Sequence, residues 1–140
     1  MKLPSLITDN IAELLVKIIE FTQARQKVLT RNINNAHSPG YIPMDLATEE
    51  FSSLIQDSIS EHIRNQRLVL CDTENIKFGQ TGSFEVKAVE DTYAKELLEN
   101  DTDEYIENQI NKLMENSLNQ KLAAELLRQK QKSNSDFHTR

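Results

Sequence analysis

Asn32-Ile33-Asn34-Asn35-Ala36-His37-Ser38-Pro39-Gly40-Tyr41 is the stretch that organises this chain. Upstream of it, apolar residues recur at Ile11, Leu14, Leu15, Ile18, Phe21, Val28 and Leu29. Spacings of three and four predict one long amphipathic helix. Inside the decapeptide that pattern stops, and it resumes only at Leu46 and Phe51. With three Gly and three Pro in 140 residues, one of each side by side marks a sharp change of direction. Pro39-Gly40 fits the two central positions of a type II turn: proline presets the first φ and glycine takes the positive second one. Ser38, which precedes proline, is pushed toward extended backbone. Asn34 or Asn35 is expected to end the helix, because Asn tolerates the left-handed region better than most residues.

Working outward, Thr8 and Asp9 are candidate N-caps for the first helix. The positions 11, 14, 18, 21 and 28 keep a narrow heptad-like seam, broken by Arg25, of the kind that pairs with another helix. Downstream, Pro43 keeps the chain extended. Phe51, Leu54, Ile55, Ile59 and Ile63 then predict a shorter helix over 49–66. Three short strands are predicted at 68–71, 76–78 and 84–89, with Gly79–Gly82 as a hairpin loop. Residues 90–107 are acidic, and Asp101 followed by Glu104 makes a capping-box pattern that starts the last helix. Its apolar positions are Ile106, Ile110, Leu113, Met114, Leu118, Leu122, Leu126 and Leu127. That stripe drifts around the helix, as a seam shared with more than one neighbour does.

The expected fold is therefore mainly α. Two long terminal helices form a coiled-coil-like pair around an irregular middle with a short helix and a short β-hairpin. The expected layout is a lead at 1–8, a first helix at 9–36, and a turn with an inter-subunit segment at 37–56. A variable, partly disordered middle at 57–100 follows, then a last helix at 101–132 and a polar tail at 133–140.

Composition limits what such a chain can do. The hydrophobic fraction is 38%, with no Trp, against about 45–50% in globular proteins. A core this lean calls for burial against partner subunits. The net charge of −6 and the lack of a basic stripe argue against nucleic acid. One cysteine, Cys71, excludes an internal disulfide; its expected place is half-buried, as a small hydrophobe. No run approaches the roughly 18 apolar residues of a membrane span, and the start of the chain lacks a signal-peptide core.

Little in the chain converges on chemistry. His37, His62 and His138 are scattered without metal-ligand spacing. Asp101-Thr102-Asp103 opens like a calcium loop, but the sixth and twelfth places hold Ile106 and Lys112 where Gly and Glu are needed. Gly79-Gln80-Thr81-Gly82 lacks the Gly-Lys-Ser/Thr ending of a phosphate loop. The expectation is a non-enzymatic chain with no cofactor, no metal and no small-molecule substrate. An enzyme with its site in the 67–90 region is the minor alternative.

The segment Arg25–Tyr41, continuing to Asp45-Leu46 and Phe51, resembles the N-terminal signature of bacterial flagellar rod and hook axial proteins, approximately L-x-x-N-I-A-N-x-x-T-P-G-Y. The stretch Leu113–Leu127 resembles the closing helix of the family's membrane-proximal rod members. Asn34 stands in an alanine position of the signature, and Ser38 replaces Thr. Ile42-Pro43 follows the Tyr where a basic residue is usual, and Asn100–Glu104 replaces the usual lead-in to the last helix. The resemblance implies a structural subunit that leaves the cell through the flagellar export gate without a cleaved signal. Such a subunit polymerises helically in the periplasmic rod and transmits torque. The implied partners are copies of itself, other rod proteins and the FliE adaptor at the proximal end. Asn32, Asn35, Ser38, Pro39, Gly40, Tyr41, Asp45 and Phe51 become the implied assembly motif. Leu113, Asn116, Leu118, Leu122 and Leu126 become the implied packing positions of the last helix. A generic cytosolic coiled-coil adaptor or chaperone-like helical protein is the competing reading, since it shares the helices but has no use for Asn35–Tyr41.

Overall fold

Two long helices, one toward each end of the chain, dominate the fold, and shorter helices lie between them. The computed structural model describes residues 3–138 apart from 80–83, with the side chains of 10–79 and 84–133. In order, the elements are α1 (Leu3–Asn34), β1 (Met44–Asp45), α2 (Thr48–Asn65), β2 (Ile76–Lys77), β3 (Glu85–Val86), β4 (Val89–Glu90), α3 (Thr92–Asn100) and α4 (Thr102–His138). At 1.5 Å per residue, α1 and α4 are about 48 and 55 Å long. They run antiparallel: Asn32, late in α1, bonds Gln109, early in α4, while Thr22 bonds Asn116 further on. The mainly helical expectation, with two long terminal helices and short strands between, matches this architecture.

α1 starts at Leu3, so Thr8 and Asp9 lie inside the helix and do not cap it. Pro4 falls in the first turn, where its missing N–H removes no helical bond and its fixed φ suits the helix. At the other end neither Asn34 nor Asn35 is left-handed. The helix closes instead through tightened turns, Ala36 N–H to the Ile33 carbonyl at 3.2 Å and Ser38 N–H to the Asn35 carbonyl at 3.0 Å.

Two separate cores flank α1. The larger joins Leu14 and Phe21 of α1, Leu46 just before α2, Phe51 and Ile55 of α2, Ile76 of β2 and Phe78 just after it. Phe21 and Phe51 stack with centroids 4.0 Å apart and planes 6° from parallel. The predicted seam 11, 14, 18, 21, 28 packs here, against α2 and the hairpin, and not as the coiled-coil seam toward α4. The smaller core joins Ala36, Ala94 and Tyr105 at the corner where α1 ends and α3 meets α4.

In its described residues the middle holds α2, two short antiparallel strand pairs and α3. β2 and β3 pair antiparallel, Ile76 with Val86 and Lys77 with Glu85. The loop between them, beyond Gly79, falls largely outside the described residues. β1 pairs with β4, Met44 with Glu90 and Asp45 with Val89, a contact the sequence pattern did not announce. Residues 68–71 are not a strand. They have no ladder partner, and the Ser58 hydroxyl instead holds the Val69 carbonyl to α2. Cys71 is exposed, contrary to expectation. The acidic stretch splits into two helices: Asp91 accepts from Ala94 N–H at 3.0 Å to cap α3, and Asp101 accepts from Glu104 N–H at 3.2 Å to cap α4.

Candidate assembly site

The corner that the decapeptide makes is held from inside by one side chain. Asn32 has 0% exposure. Its Nδ2 donates to the Met44 carbonyl at 2.7 Å and to Gln109 Oε1 at 2.8 Å. Its Oδ1 accepts from the Tyr41 hydroxyl at 2.8 Å and from Met44 N–H at 3.1 Å. Two donors and two acceptors are all that a side-chain amide can use, so Asn32 is saturated. Its backbone carbonyl also accepts from the Tyr105 hydroxyl at 3.0 Å. Burial pushes the Tyr105 hydroxyl up to about 12, helped by nearby Tyr41 and Asp91. It therefore stays protonated as a donor. One asparagine thus ties α1, the post-turn segment and α4 together.

The turn itself behaves as predicted. Tyr41 N–H donates to the Ser38 carbonyl at 3.2 Å, with Pro39 and Gly40 between them. Gly40 has φ +72°, and a Cβ there would meet no atom within 4 Å. The glycine is needed for its backbone angle and not for space. Asn35 Nδ2 donates to the Arg31 carbonyl at 2.9 Å and the Ser38 hydroxyl to Asn35 Oδ1 at 3.0 Å, stiffening the corner's outer side.

Next to this hub lies a balanced ion network. Arg25 donates through Nε at 2.9 Å and a terminal nitrogen at 3.0 Å to the two oxygens of Asp45. Lys112 reaches Asp45 at 3.4 Å and Asp91 at 2.5 Å. Burial alone would raise the Asp91 carboxyl, but the Lys112 ammonium and the Ala94 N–H outweigh it and hold it below its ordinary value. Arg25, which interrupts the apolar seam in the sequence, is thus an internal partner for β1. Asp91 N–H also donates to the Pro43 carbonyl at 3.0 Å, so the network and the β1–β4 pair fasten the same place.

The predicted assembly residues divide accordingly. Asn32, Asp45 and Phe51 are committed to internal contacts, and Tyr41 is half-buried with its hydroxyl on Asn32. Ser38, Pro39 and Gly40 are exposed, and Asn35 is half-buried at the rim. Beside them runs a shallow groove of about 500 Å³ lined by Ala36, Pro39, Tyr41, Ile42, Lys95 and Leu98. Within 37–56, Asp45 and Phe51 therefore brace the fold from inside, while the corner at 37–40 and the outer face of early α2, with Glu49, Ser52 and Gln56, are exposed.

α4 departs from expectation in the same instructive way. The side it turns to α1 carries Tyr105, Gln109, Asn116 and Ala123, all buried. Asn116 Nδ2 donates to the Thr22 carbonyl at 2.7 Å. Of the predicted packing positions, Asn116 is buried and Leu113 half-buried, whereas Leu118, Leu122 and Leu126 are exposed. Ile110, Met114, Leu118, Leu122 and Leu126 stand 42–68% exposed. Their spacing of four makes one continuous ridge that winds around the helix. The C-terminal end of this ridge borders a groove of about 520 Å³ between α1, α2 and α4, lined by Leu15, Ile18, Phe21, Ile55, Leu122 and Leu126, among others. Tyr105 and Gln109 were not among the predicted site residues; their spacing of four, continued by Lys112 and Asn116, is the signal that identifies this face.

Among the described residues, no three His, Cys, Asp or Glu side chains are placed to hold a metal ion. His37 is exposed, while His62 is buried with Nδ1 3.4 Å from the Asn10 amide. No helix, among the described residues, is long and apolar enough to cross a membrane. Comparison with protein-family models, with curated proteins and with solved structures returned no match.

Proposed function

We propose that the chain is a structural subunit of the bacterial flagellar basal-body rod, of the proximal FlgB type. The observation that carries this reading is the division of labour along α4. Amides and a tyrosine face α1, while a ridge of five large apolar residues faces outward. Polar groups on an internal seam specify register at some cost in stability. An outward apolar ridge of this length is suited to burial by another chain. The resemblance to the rod signature supports this identity, with Asn32 and Tyr41 bracing the corner between the terminal helices and Ser38-Pro39-Gly40 exposed at its tip.

In this reading the chain is exported without a cleaved signal and polymerises helically in the periplasmic rod. It transmits torque through contacts with copies of itself and with other rod proteins, and at the proximal end it meets the FliE adaptor and the export gate. It carries no catalytic site and takes no cofactor, nucleic acid or small-molecule substrate. The paralogous proximal rod protein FlgC is the near alternative within the same assembly. A chain lacking Pro39 and Gly40 tests the proposal, provided circular dichroism still reports native helix. A rod subunit so altered is expected to abolish motility and fail to enter the basal body. Unchanged motility would favour a coiled-coil adaptor, which has no need of the corner.

A further inference from the structure

We infer that the C-terminal part of α4 in one copy docks in the corner groove at the opposite end of the next copy, a head-to-tail contact between unlike surfaces. It names one contact between copies of the proposed rod subunit, and to that extent rests on that reading. The groove, about 500 Å³, has an apolar lining of Ala36, Pro39, Tyr41, Ile42 and Leu98, and Ile42 is 46% exposed. Its lip is acidic. Glu99 lines it, and from Glu96 to Glu107 the chain holds six acidic residues and no basic one, all six exposed. Lys95, at the groove's edge, is matched by Glu90 at 3.4 Å. The far part of α4 is the complement. Leu118, Leu122 and Leu126 form a row that stands 42–68% exposed. From Leu118 to Lys132 four basic residues accompany one acidic residue, Glu125, which Arg128 holds at 2.6 Å. A chain of net −6 thus gathers a basic surplus toward one tip and an acidic surplus at the other.

One molecule cannot close this contact on itself. Tyr105, packed in the corner with Ala36, and Leu126 are about 32 Å apart along a single helix. Leucine row and corner groove therefore meet only in different chains. Because the two surfaces are unlike, the contact is heterologous, and its repetition makes a ring or an open helical filament. An open filament agrees with the rod reading, since every copy added still presents one groove at one end and one leucine row at the other. Charge sets the polarity. Tail on tail brings basic surfaces together and corner on corner acidic ones, so both symmetric pairings are disfavoured. One groove and three leucines make an interface at the small end of the range, below about 1,200 Å² in total. Two copies in dilute solution therefore hold each other weakly, and the contact is best read by trapping it.

Cross-linking of the purified full chain by a short bismaleimide at high micromolar concentration tests this without any flagellum. In a Cys71→Ser background, one variant carries His37→Cys on the groove's rim and the other Gln129→Cys one turn beyond Leu126, both at exposed positions. Circular dichroism checks that each keeps its helix. The mixture is expected to link roughly tenfold faster than either variant alone, because docking holds the two thiols at an effective concentration above that of free chains. Added salt should slow the mixed link. Lys121→Glu with Lys132→Glu on the Gln129→Cys chain should slow it roughly fivefold. Adding Glu96→Lys with Glu99→Lys to the His37→Cys chain should restore it, because the reversed charges are again complementary. A mixture no faster than its components, a link indifferent to the charge reversal, no recovery in the doubly reversed pair, or Gln129→Cys linking fastest with itself would overturn the inference. A mixed link in a chain whose Pro39-Gly40 deletion leaves motility unchanged would keep the inference and count against the rod reading. Lost motility without a mixed link would do the reverse.

Discussion

Replacing Asn32 with alanine should destabilise the chain by about 3–5 kcal/mol, far more than any other single amide in the corner. Alanine leaves Met44 N–H, the Met44 carbonyl and Gln109 Oε1 without the partners they have at 3.1, 2.7 and 2.8 Å. Each stranded buried group costs about 1–3 kcal/mol. The Tyr41 hydroxyl belongs to a half-buried residue and can turn to water, and a water filling the amide-sized gap recovers part of the rest. Against a total stability of about 5–15 kcal/mol, the loss is large and lowers Tm by about 10–15 °C. Urea unfolding followed by far-UV circular dichroism measures it, with an unchanged denaturant slope as the check that only stability moved. Asn35→Ala, which loses hydrogen bonds at the corner's solvent-facing rim, is the control and should cost at most about 1 kcal/mol. Asn32→Asp keeps an acceptor but loses both donors, and sets a buried carboxylate against two carbonyl oxygens. It should be at least as damaging at neutral pH and partly recover in acid. An Asn32→Ala chain within about 1 kcal/mol of the parent would refute the idea that Asn32 is the hub.

Other perturbations follow from the same geometry. The folded Asp91 carboxyl lies below its unfolded value, so its stabilisation is present above that value and is lost as pH falls through the lower folded one. Acid titration of stability should decline below about pH 4, with a shallower decline in Asp91→Asn. Tyr105, raised to about 12, has the opposite sign: its share is intact below pH 10 and disappears as pH rises toward 12, an arm that Tyr105→Phe should flatten in the same assay. Gly40→Ala meets no clash and should cost only the left-handed backbone penalty of about 1–2 kcal/mol, read by calorimetry. Phe51→Ala opens the stack with Phe21 and should cost about 3–5 kcal/mol in urea unfolding.

Periodicity made the long helices, α2 and the β2–β3 hairpin legible, because those patterns are local. The Pro39-Gly40 turn and the Asp101 cap were legible for the same reason: each depends on the chemistry of a few neighbouring residues. Longer-range choices were not. The seam of α1 has two neighbours, and a one-dimensional pattern cannot say that Leu14 and Phe21 serve α2 and the hairpin while Thr22 and Asn32 serve α4. Leucines drew the eye along α4, yet the buried face is written in Tyr105, Gln109, Lys112 and Asn116, polar residues that periodicity counts discard. Arg25 read as a break in an apolar seam because its partner, Asp45, lies twenty positions on and comes close only when the corner closes. The β1–β4 pair joins positions more than forty apart and only two residues long, too short to leave a pattern.

The central claim is that this chain belongs to a rod, and purification of basal bodies from the cell that encodes it tests this most directly. Intact basal bodies stripped of membrane should retain the chain in the rod fraction, recoverable in constant proportion to other rod proteins. A chain that is expressed in motile cells, yet stays entirely in the cytosol and is absent from those basal bodies, would contradict the account.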